Sequence, residues 1–447
     1  VQSTPSPAPH EVDVAVVGAG LAGLTCARDL QRGGLSVGVF EARERVGGRV
    51  FNQALANGVV VERGGQFVGP TQDRILALAT ELGVETFPTY DTGEGRIRVR
   101  GREDVALAKF ADVVETLDAM AAELPLEEPW TAARAAEWDG QTLCTWLDAN
   151  VADTDAAALL RQVVAAVFTA EAEELSFLHV LVYIRSAGSM GSLTQTEGGA
   201  QERRFVGGAQ LVAERLAEEL GAGTVTLSSP VRGLASEDGS VTVTTDSGVT
   251  KARRVVVAVP IALADRIAYS PALPAHRAQL HQRAVPGTTI KTTCVYESAF
   301  WREDGWSGRL FTDEGPVTVT FDNSPDGGRP GMLVSFAEAD FAREFRRLSA
   351  GERRQATIDC LVANFGPAAA EPVEYVETDW SNEEWTRGCF GANFGPGGWT
   401  RYGNALREPC GLVHWAGAET SPIWMNYMDG AVRSGERAAA EVVAALA

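Results

Sequence analysis

Methionine, histidine and cysteine are scarce in this chain of 447 residues: five, five and six. The cysteines (Cys26, Cys144, Cys294, Cys360, Cys389, Cys410) lie far apart, with no CxxC and no paired framework. That excludes a disulfide scaffold and points to a reducing compartment, the cytoplasm. The histidines form no ligand spacing of the HxxxH kind, so no metal is expected. No apolar run approaches the ~18 residues of a membrane span; the longest, around residues 255–264, contains Pro260. Residues 1–10 are rich in proline and serine and lack the charged and apolar regions of a signal peptide. They read as an unstructured lead-in. Positive charge is also in short supply. Lys and Arg number 39 against 59 Asp and Glu, a net charge of −20, which argues against nucleic acid and anionic membrane surfaces. A cationic substrate is compatible with that charge, but solubility is the plainer reading. No Ser-His-Asp or Cys-His arrangement stands out.

What is present starts at once. An apolar run, residues 12–17, is followed by Gly18-x-Gly20-x-x-Gly23 and then by helix formers, residues 24–30. Strand, glycine turn and helix in that order form the dinucleotide-binding fingerprint. Gly18 permits the tight turn, Gly20 lets backbone approach a pyrophosphate, and Gly23 lets helix and strand pack closely. The helix start offers free N–H groups and a positive dipole end to phosphates. A second strand, residues 36–40, ends in Glu41, eighteen residues beyond Gly23. An acid there accepts hydrogen bonds from ribose hydroxyls and disfavours a 2′-phosphate. Arg43, Arg45, Gly47, Gly48 and Arg49 follow, glycines flanked by arginines as a loop near a phosphate requires. Gly64-Gly65-Gln66 is a second bare-backbone turn, and Gly65 and Gln66 join the expected cofactor contacts.

The length suggests two domains. A helix is expected at residues 71–83. Residues from about 85 to 204 are rich in Ala, Glu and Leu and read as mostly helical, for example at 112–124 and 153–168. A helix at 209–220, strands at 225–227 and 241–245 and a buried strand at 254–260 return to an α/β pattern. Strands at 290–296, 317–321 and 332–336 suggest a six-stranded sheet covering a ligand, with a helix at 341–365. A strand at 411–417 and a helix at 430–446 close the chain. The expected fold class is α/β: a discontinuous Rossmann-like nucleotide domain (1–80, 205–283, 383–447) and an α+β substrate domain with a mixed sheet (81–204, 284–382). Sites gather at such junctions.

The C-terminal stretch Ala416-Gly417-Ala418-Glu419-Thr420, with Trp424 and Tyr427-Met428-Asp429-Gly430-Ala431, resembles the signature of the flavin amine oxidases. It is most similar to that of the monoamine oxidases. Supporting stretches span almost the whole chain: residues 69–76, Gln201-Glu202-Arg203-Arg204-Phe205-Val206-Gly207-Gly208, Ile290-Lys291, Phe300-Trp301-Arg302, Arg387-Gly388-Cys389-Phe390, and residues 401–407. Some of the same words occur in bacterial putrescine oxidases.

The resemblance implies FAD. It implies Glu41 on the adenosine ribose, Arg43, Gly48 and Arg49 near the phosphates and sugar, and the Val231 backbone on adenine. It also implies Glu419 and Met428 at the ribityl chain and pyrimidine edge, and Trp380 beside the isoalloxazine. Lys291 matches a lysine that holds a water at the flavin, although a strand lysine usually faces solvent. Tyr427 matches one wall of an aromatic pair; Phe390 stands where the other wall is usually tyrosine. Gln201 would line the substrate pocket. Cys389 matches a cysteine that in some relatives bonds the flavin covalently, with Arg387 two residues away to favour its thiolate; the plain alternative is a small buried hydrophobe.

The implied reaction is oxidative deamination of a primary amine, with an aryl-alkyl monoamine as the expected substrate. It gives aldehyde, ammonia and, with O2, hydrogen peroxide. The expected partners are therefore a small amine and O2; a homodimer is compatible. The chain ends at Ala447, where membrane-bound relatives continue into an anchor, so a soluble enzyme is expected. A putrescine-type diamine or polyamine oxidase would need an acid at the far end of the pocket, with Glu171, Glu173, Glu174 and Glu197 as candidates. A flavin amine dehydrogenase would pass electrons to another acceptor. A non-catalytic FAD module would lack Lys291 or the Tyr427 region. An amino-acid oxidase would need a cation for the substrate carboxylate.

Overall fold

The strand Glu11–Val17 has a parallel neighbour on each side, Val37–Phe40 and Gly248–Val257. Strands flanked in this way are covered on both faces, which is why their sequences are continuous apolar runs rather than alternating ones. The computed structural model describes residues 11–447 apart from 57 and 104–106; the proline-rich lead-in lies outside the described residues. The sheet has eight strands. From one edge these are Ala268–Ser270, Val231–Glu237, Ser240–Thr245, Gly248–Val257, Glu11–Val17, Val37–Phe40 and Val225–Thr226. The eighth, Val413–Trp415, pairs in parallel with the last residues of Gly248–Val257.

One face of this sheet is covered by helices Leu21–Arg32, Gln210–Leu220 and Met428–Leu446, which share an apolar cluster with Val14, Val16 and Val39. The first and last helices meet closely. A Cβ built on Gly435 would stand 2.4 Å from the Ala22 carbonyl oxygen, so only a bare backbone fits there. The end of the chain is thereby packed against its beginning.

A second sheet has six strands in the order Glu374–Asp379, Thr289–Tyr296, Gly331–Glu338, Val319–Asp322, Trp306–Thr312 and Glu94–Arg98. All pairs are antiparallel except the last, which is parallel. Thr289–Tyr296 and Gly331–Glu338 are buried throughout. Helices Leu107–Ala122, Leu143–Asn150, Thr154–Phe168 and Phe177–Ala187 form a further apolar cluster with Trp138, Trp146 and Leu181. The Asp153 carboxylate caps Thr154–Phe168, accepting from the backbone N–H groups of Asp155 and Ala156.

The α/β class and the six-stranded sheet are those expected. The sixth strand, Glu94–Arg98, comes from the stretch read as mostly helical. Its polar, arginine-rich sequence carries no apolar run, because it is an edge strand. The helix expected over residues 341–365 is two helices, Ala339–Phe345 and Ala350–Phe365. Ser349 breaks it. Its hydroxyl accepts from the Glu352 N–H while the Glu352 carboxylate takes the Ser349 N–H, a capping box that starts a new helix.

Candidate active site

The turn after the first strand is built from backbone. Gly18 takes φ +102°, and a Cβ on it would lie 2.9 Å from the Ala258 carbonyl oxygen. The Gly47 N–H donates to the Ala19 carbonyl at 2.8 Å, tying the second glycine loop to the first. Glu41 anchors the pair, its carboxylate accepting from the Ala19 N–H at 2.7 Å and the Arg43 N–H at 3.0 Å.

From this cradle a cavity of about 1080 Å³ runs between the two sheets. Gly18, Gly20, Glu41, Arg43, Gly48 and Val231 line one end. Arg49, Gly65, Gln66, Cys389 and Met428 line it further on, and Lys291, Phe390, Tyr427 and Gln201 also face it. Three expected contacts do not reach it. Gly23 lies within the first helix, where a Cβ would stand 2.0 Å from the Gly18 carbonyl oxygen; its role is packing. Trp380 is buried behind the second glycine turn and donates its indole N–H to the Arg63 carbonyl at 3.0 Å. The Glu419 carboxylate lies beneath Arg49, which donates to it twice, at 2.7 and 3.1 Å.

Arg49 also donates to the Phe390 carbonyl at 2.8 Å. Burial works against its charge, and the Glu419 carboxylate outweighs that, so its pKa is raised. Cys389 is buried, and burial pushes its thiol up to about 11 against the pull of Arg49 and Lys291. Those two supply the positive field at the sulfur. The expectation that Arg387 does so is corrected: Arg387 lies exposed on the surface.

Lys291 is buried on the second strand of the six-stranded sheet, opposite Phe336. Its ammonium donates to the Gly64 carbonyl at 2.7 Å and to the Gln66 side-chain oxygen. Burial pulls its pKa from 10.5 down to about 7, opposed by Glu62. Phe390 packs edge-on against Phe336, with ring centroids 6.1 Å apart. Tyr427 packs against Tyr183 at 6.1 Å and Trp424 at 4.9 Å. Tyr427 is also the residue before helix Met428–Leu446 and makes no side-chain cap, so the positive end of that helix faces the cavity. Gln201 donates to the Leu193 carbonyl at 3.0 Å, and its side-chain oxygen has no partner.

Of the four glutamates considered for a second ammonium, three are engaged elsewhere. Glu171 accepts from the Asp340 N–H, Glu173 pairs with Arg161, and Glu174 pairs with Arg343. Glu197 lines the cavity but is exposed. Sequence reasoning missed Glu338, a buried acid in the cavity wall. The apolar pattern of that strand runs out at Phe336 in the sequence, and strand alternation carried two residues further reaches Glu338.

Comparison with known proteins decides what this arrangement belongs to. The model of the family described as flavin containing amine oxidoreductase matches residues 21–443. The chain belongs to that family. AofH of Mycobacterium tuberculosis (strain H37Rv), named provisionally as a flavin-containing monoamine oxidase, is 41% identical over 98% of both chains. Human flavin-containing amine oxidase B is 36% identical, covering 98% of this chain and 87% of its own. Among solved structures, putrescine oxidase bound to putrescine superposes with a TM-score of 0.93 at 36% identity, covering 97% and 99% of the chains. Cyclohexylamine oxidase from Brevibacterium oxydans gives 0.94 at 33%, with the same coverage.

This flavin amine oxidase is thus an enzyme whose family implies FAD, an amine and an oxidant. No helix among the described residues is long and apolar enough to cross a membrane. The residues present fit FAD. A Cβ on Gly20 would meet nothing within 4 Å, which leaves open space against backbone at the cradle. The buried Glu41 carboxylate keeps lone pairs for ribose hydroxyls beyond its two backbone bonds. The void continues from there to Lys291 without a break.

The depressed Lys291 pKa has a consequence for stability. Between about pH 7 and 10.5 the unfolded chain binds a proton at Lys291 that the folded chain does not. Stability contributed through this group therefore rises with pH across that window and is lost as pH falls through 7. In urea unfolding of the apoprotein, the wild type should gain stability relative to Lys291→Met between pH 7 and 9. A constant difference between the two would contradict the assignment.

Proposed function

We propose that the enzyme oxidises primary amines with an apolar, aryl-alkyl body to the aldehyde, ammonia and hydrogen peroxide, using O2. The observation that carries this reading is the character of the cavity beyond the cradle. Phe67, Phe311, Phe321, Phe336 and Phe390 line it together with Tyr427. FAD, when bound along the cradle, supplies the two-electron redox chemistry.

The chain's own contribution is positioning and electrostatics. Phe390 and Tyr427 would flank the amine, and their ring faces favour a small dipolar or cationic nitrogen while limiting how it can turn. Apolar walls exclude water and favour a neutral body, because an unpaired charge buried there is costly. Lys291 holds a proton at Nζ beside the Gly64–Gln66 turn. Its depressed pKa lets it give up or retain that proton near neutral pH. In its charged form it stabilises negative charge developing nearby.

Roles for Arg43, Gly48, Arg49, Gly65, Gln66, Val231 and Met428 as cofactor contacts rest on their position along the void. Covalent attachment through Cys389 is part of the same reading. The thiol lines the cavity; burial pushes it up to about 11, and Arg49 and Lys291 pull the other way, toward the thiolate that attack needs. A diamine reading draws on the likeness to putrescine oxidase and on Glu197, but an exposed carboxylate is a weak partner for a second ammonium.

In an air-saturated peroxide assay, tyramine, phenethylamine and benzylamine should show higher kcat/KM than putrescine and spermidine. The reverse order would replace the monoamine reading. Turnover with an artificial acceptor but no peroxide would make the enzyme a dehydrogenase. For covalency, acid-precipitated wild type should keep its yellow colour in the pellet, while Cys389→Ala releases it wholly. Full release from the wild type would mean no covalent bond.

A further inference from the structure

Glu338 has no assigned use in the chemistry above, yet it lines the same void. Among the described residues on the cavity wall, the buried acids are Glu41, at the cradle, and Glu338. Alternation along strand Gly331–Glu338 puts Val334, Phe336 and Glu338 on one face. On that face Val334 and Phe336 pack with Ala166, Phe321 and Phe390. Phe336 marks the reacting end, with its ring 5.7 Å from the Lys291 ammonium. Glu338 stands two residues on, about 7 Å further along the strand.

The carboxyl group has little company. The Thr318 hydroxyl donates to Oε2, and no cation pairs with Glu338 among the described residues. Oε1 has no hydrogen-bond partner among the described residues, and Glu338 lines the cavity. Burial pushes the acid up to about 8, so near neutral pH it carries its proton and is both a donor and an acceptor. A lone acid in an apolar wall is costly unless something hydrogen-bonds to it. The ligand that matches a neutral carboxylic acid is a neutral hydroxyl, which also gives and takes one hydrogen bond. An ammonium would require the acid to ionise and both charges to be desolvated.

We propose that Glu338 anchors the far end of the amine and selects substrates that carry a hydroxyl group there, as phenolic aryl-alkyl amines do. This deepens the aryl-alkyl reading and rests on it. Glu338 would be a specificity residue, one body-length from the carbon that is oxidised.

The test compares tyramine with phenethylamine, which differ only in the hydroxyl, by kcat/KM for peroxide release. The FAD-loaded wild type should favour tyramine by about tenfold or more, the scale of one net hydrogen bond. Glu338→Leu should bring the ratio near one, and Glu338→Gln, which still gives and accepts hydrogen bonds, should keep most of it. If Glu338→Leu does not fold, Glu338→Met repeats the measurement. A ratio that survives in Glu338→Leu or Glu338→Met, or a wild-type ratio near one, would overturn the proposal. So would a wild-type preference for putrescine that Glu338→Gln abolishes, since the acid would then serve a cation. Failure of the wild type to oxidise either aryl amine would remove the aryl-alkyl reading itself, and this inference with it.

Discussion

The ion pair between Arg49 and Glu419 holds together parts of the chain that the cavity needs side by side. Arg49 belongs to the glycine loop next to the nucleotide cradle, and Glu419 lies in the segment before the last helix. The same guanidinium grips the carbonyl of Phe390, so the Arg49 loop meets two segments that lie more than three hundred residues further along the chain. A paired, largely buried arginine of this kind adds little net stability over an apolar substitute. Breaking it from one side is another matter, because it strands a buried charge. Its value here is geometric: two parallel hydrogen bonds fix the plane of the guanidinium and with it the wall of the void.

Around that clamp the two sheets divide the work. The parallel sheet provides turns of bare backbone at Gly18, Gly20 and the Gly47–Gly48 loop, with open space beside Gly20. The six-stranded sheet provides a face of aromatic and aliphatic side chains interrupted, among the described residues, by two buried ionisable groups on the cavity wall, Lys291 and Glu338. Burial moves both toward neutrality near pH 7, one from above and one from below. Under the function proposed above, a site with two such groups would handle a neutral amine and its proton without holding a fixed charge against an apolar substrate.

Much of this was legible in the sequence where the signal is local. The apolar run before Gly18, the acid after the second strand and the C-terminal motif each lie within a short stretch, and they led to the nucleotide fold and the amine oxidase family. What escaped depends on distant contacts. Glu338 at the end of a strand reads as a surface acid until the sheet buries it. Arg387 is the cation nearest Cys389 in sequence, yet Arg49 and Lys291 are the ones that act on it. Trp380 and Glu419 match motif positions but support the wall from behind, through Arg63 and Arg49. Glu94–Arg98 has no apolar pattern to declare it a strand, since an edge strand need bury little.

The central claim is that one continuous void brings the cofactor and an apolar amine into reach of each other beside Lys291. Anaerobic mixing of the FAD-loaded enzyme with phenethylamine tests it most directly. The account predicts that the yellow absorption of the bound flavin is lost at a rate that saturates with amine concentration. Flavin that stays bound and yellow through the whole range of amine concentrations would contradict it.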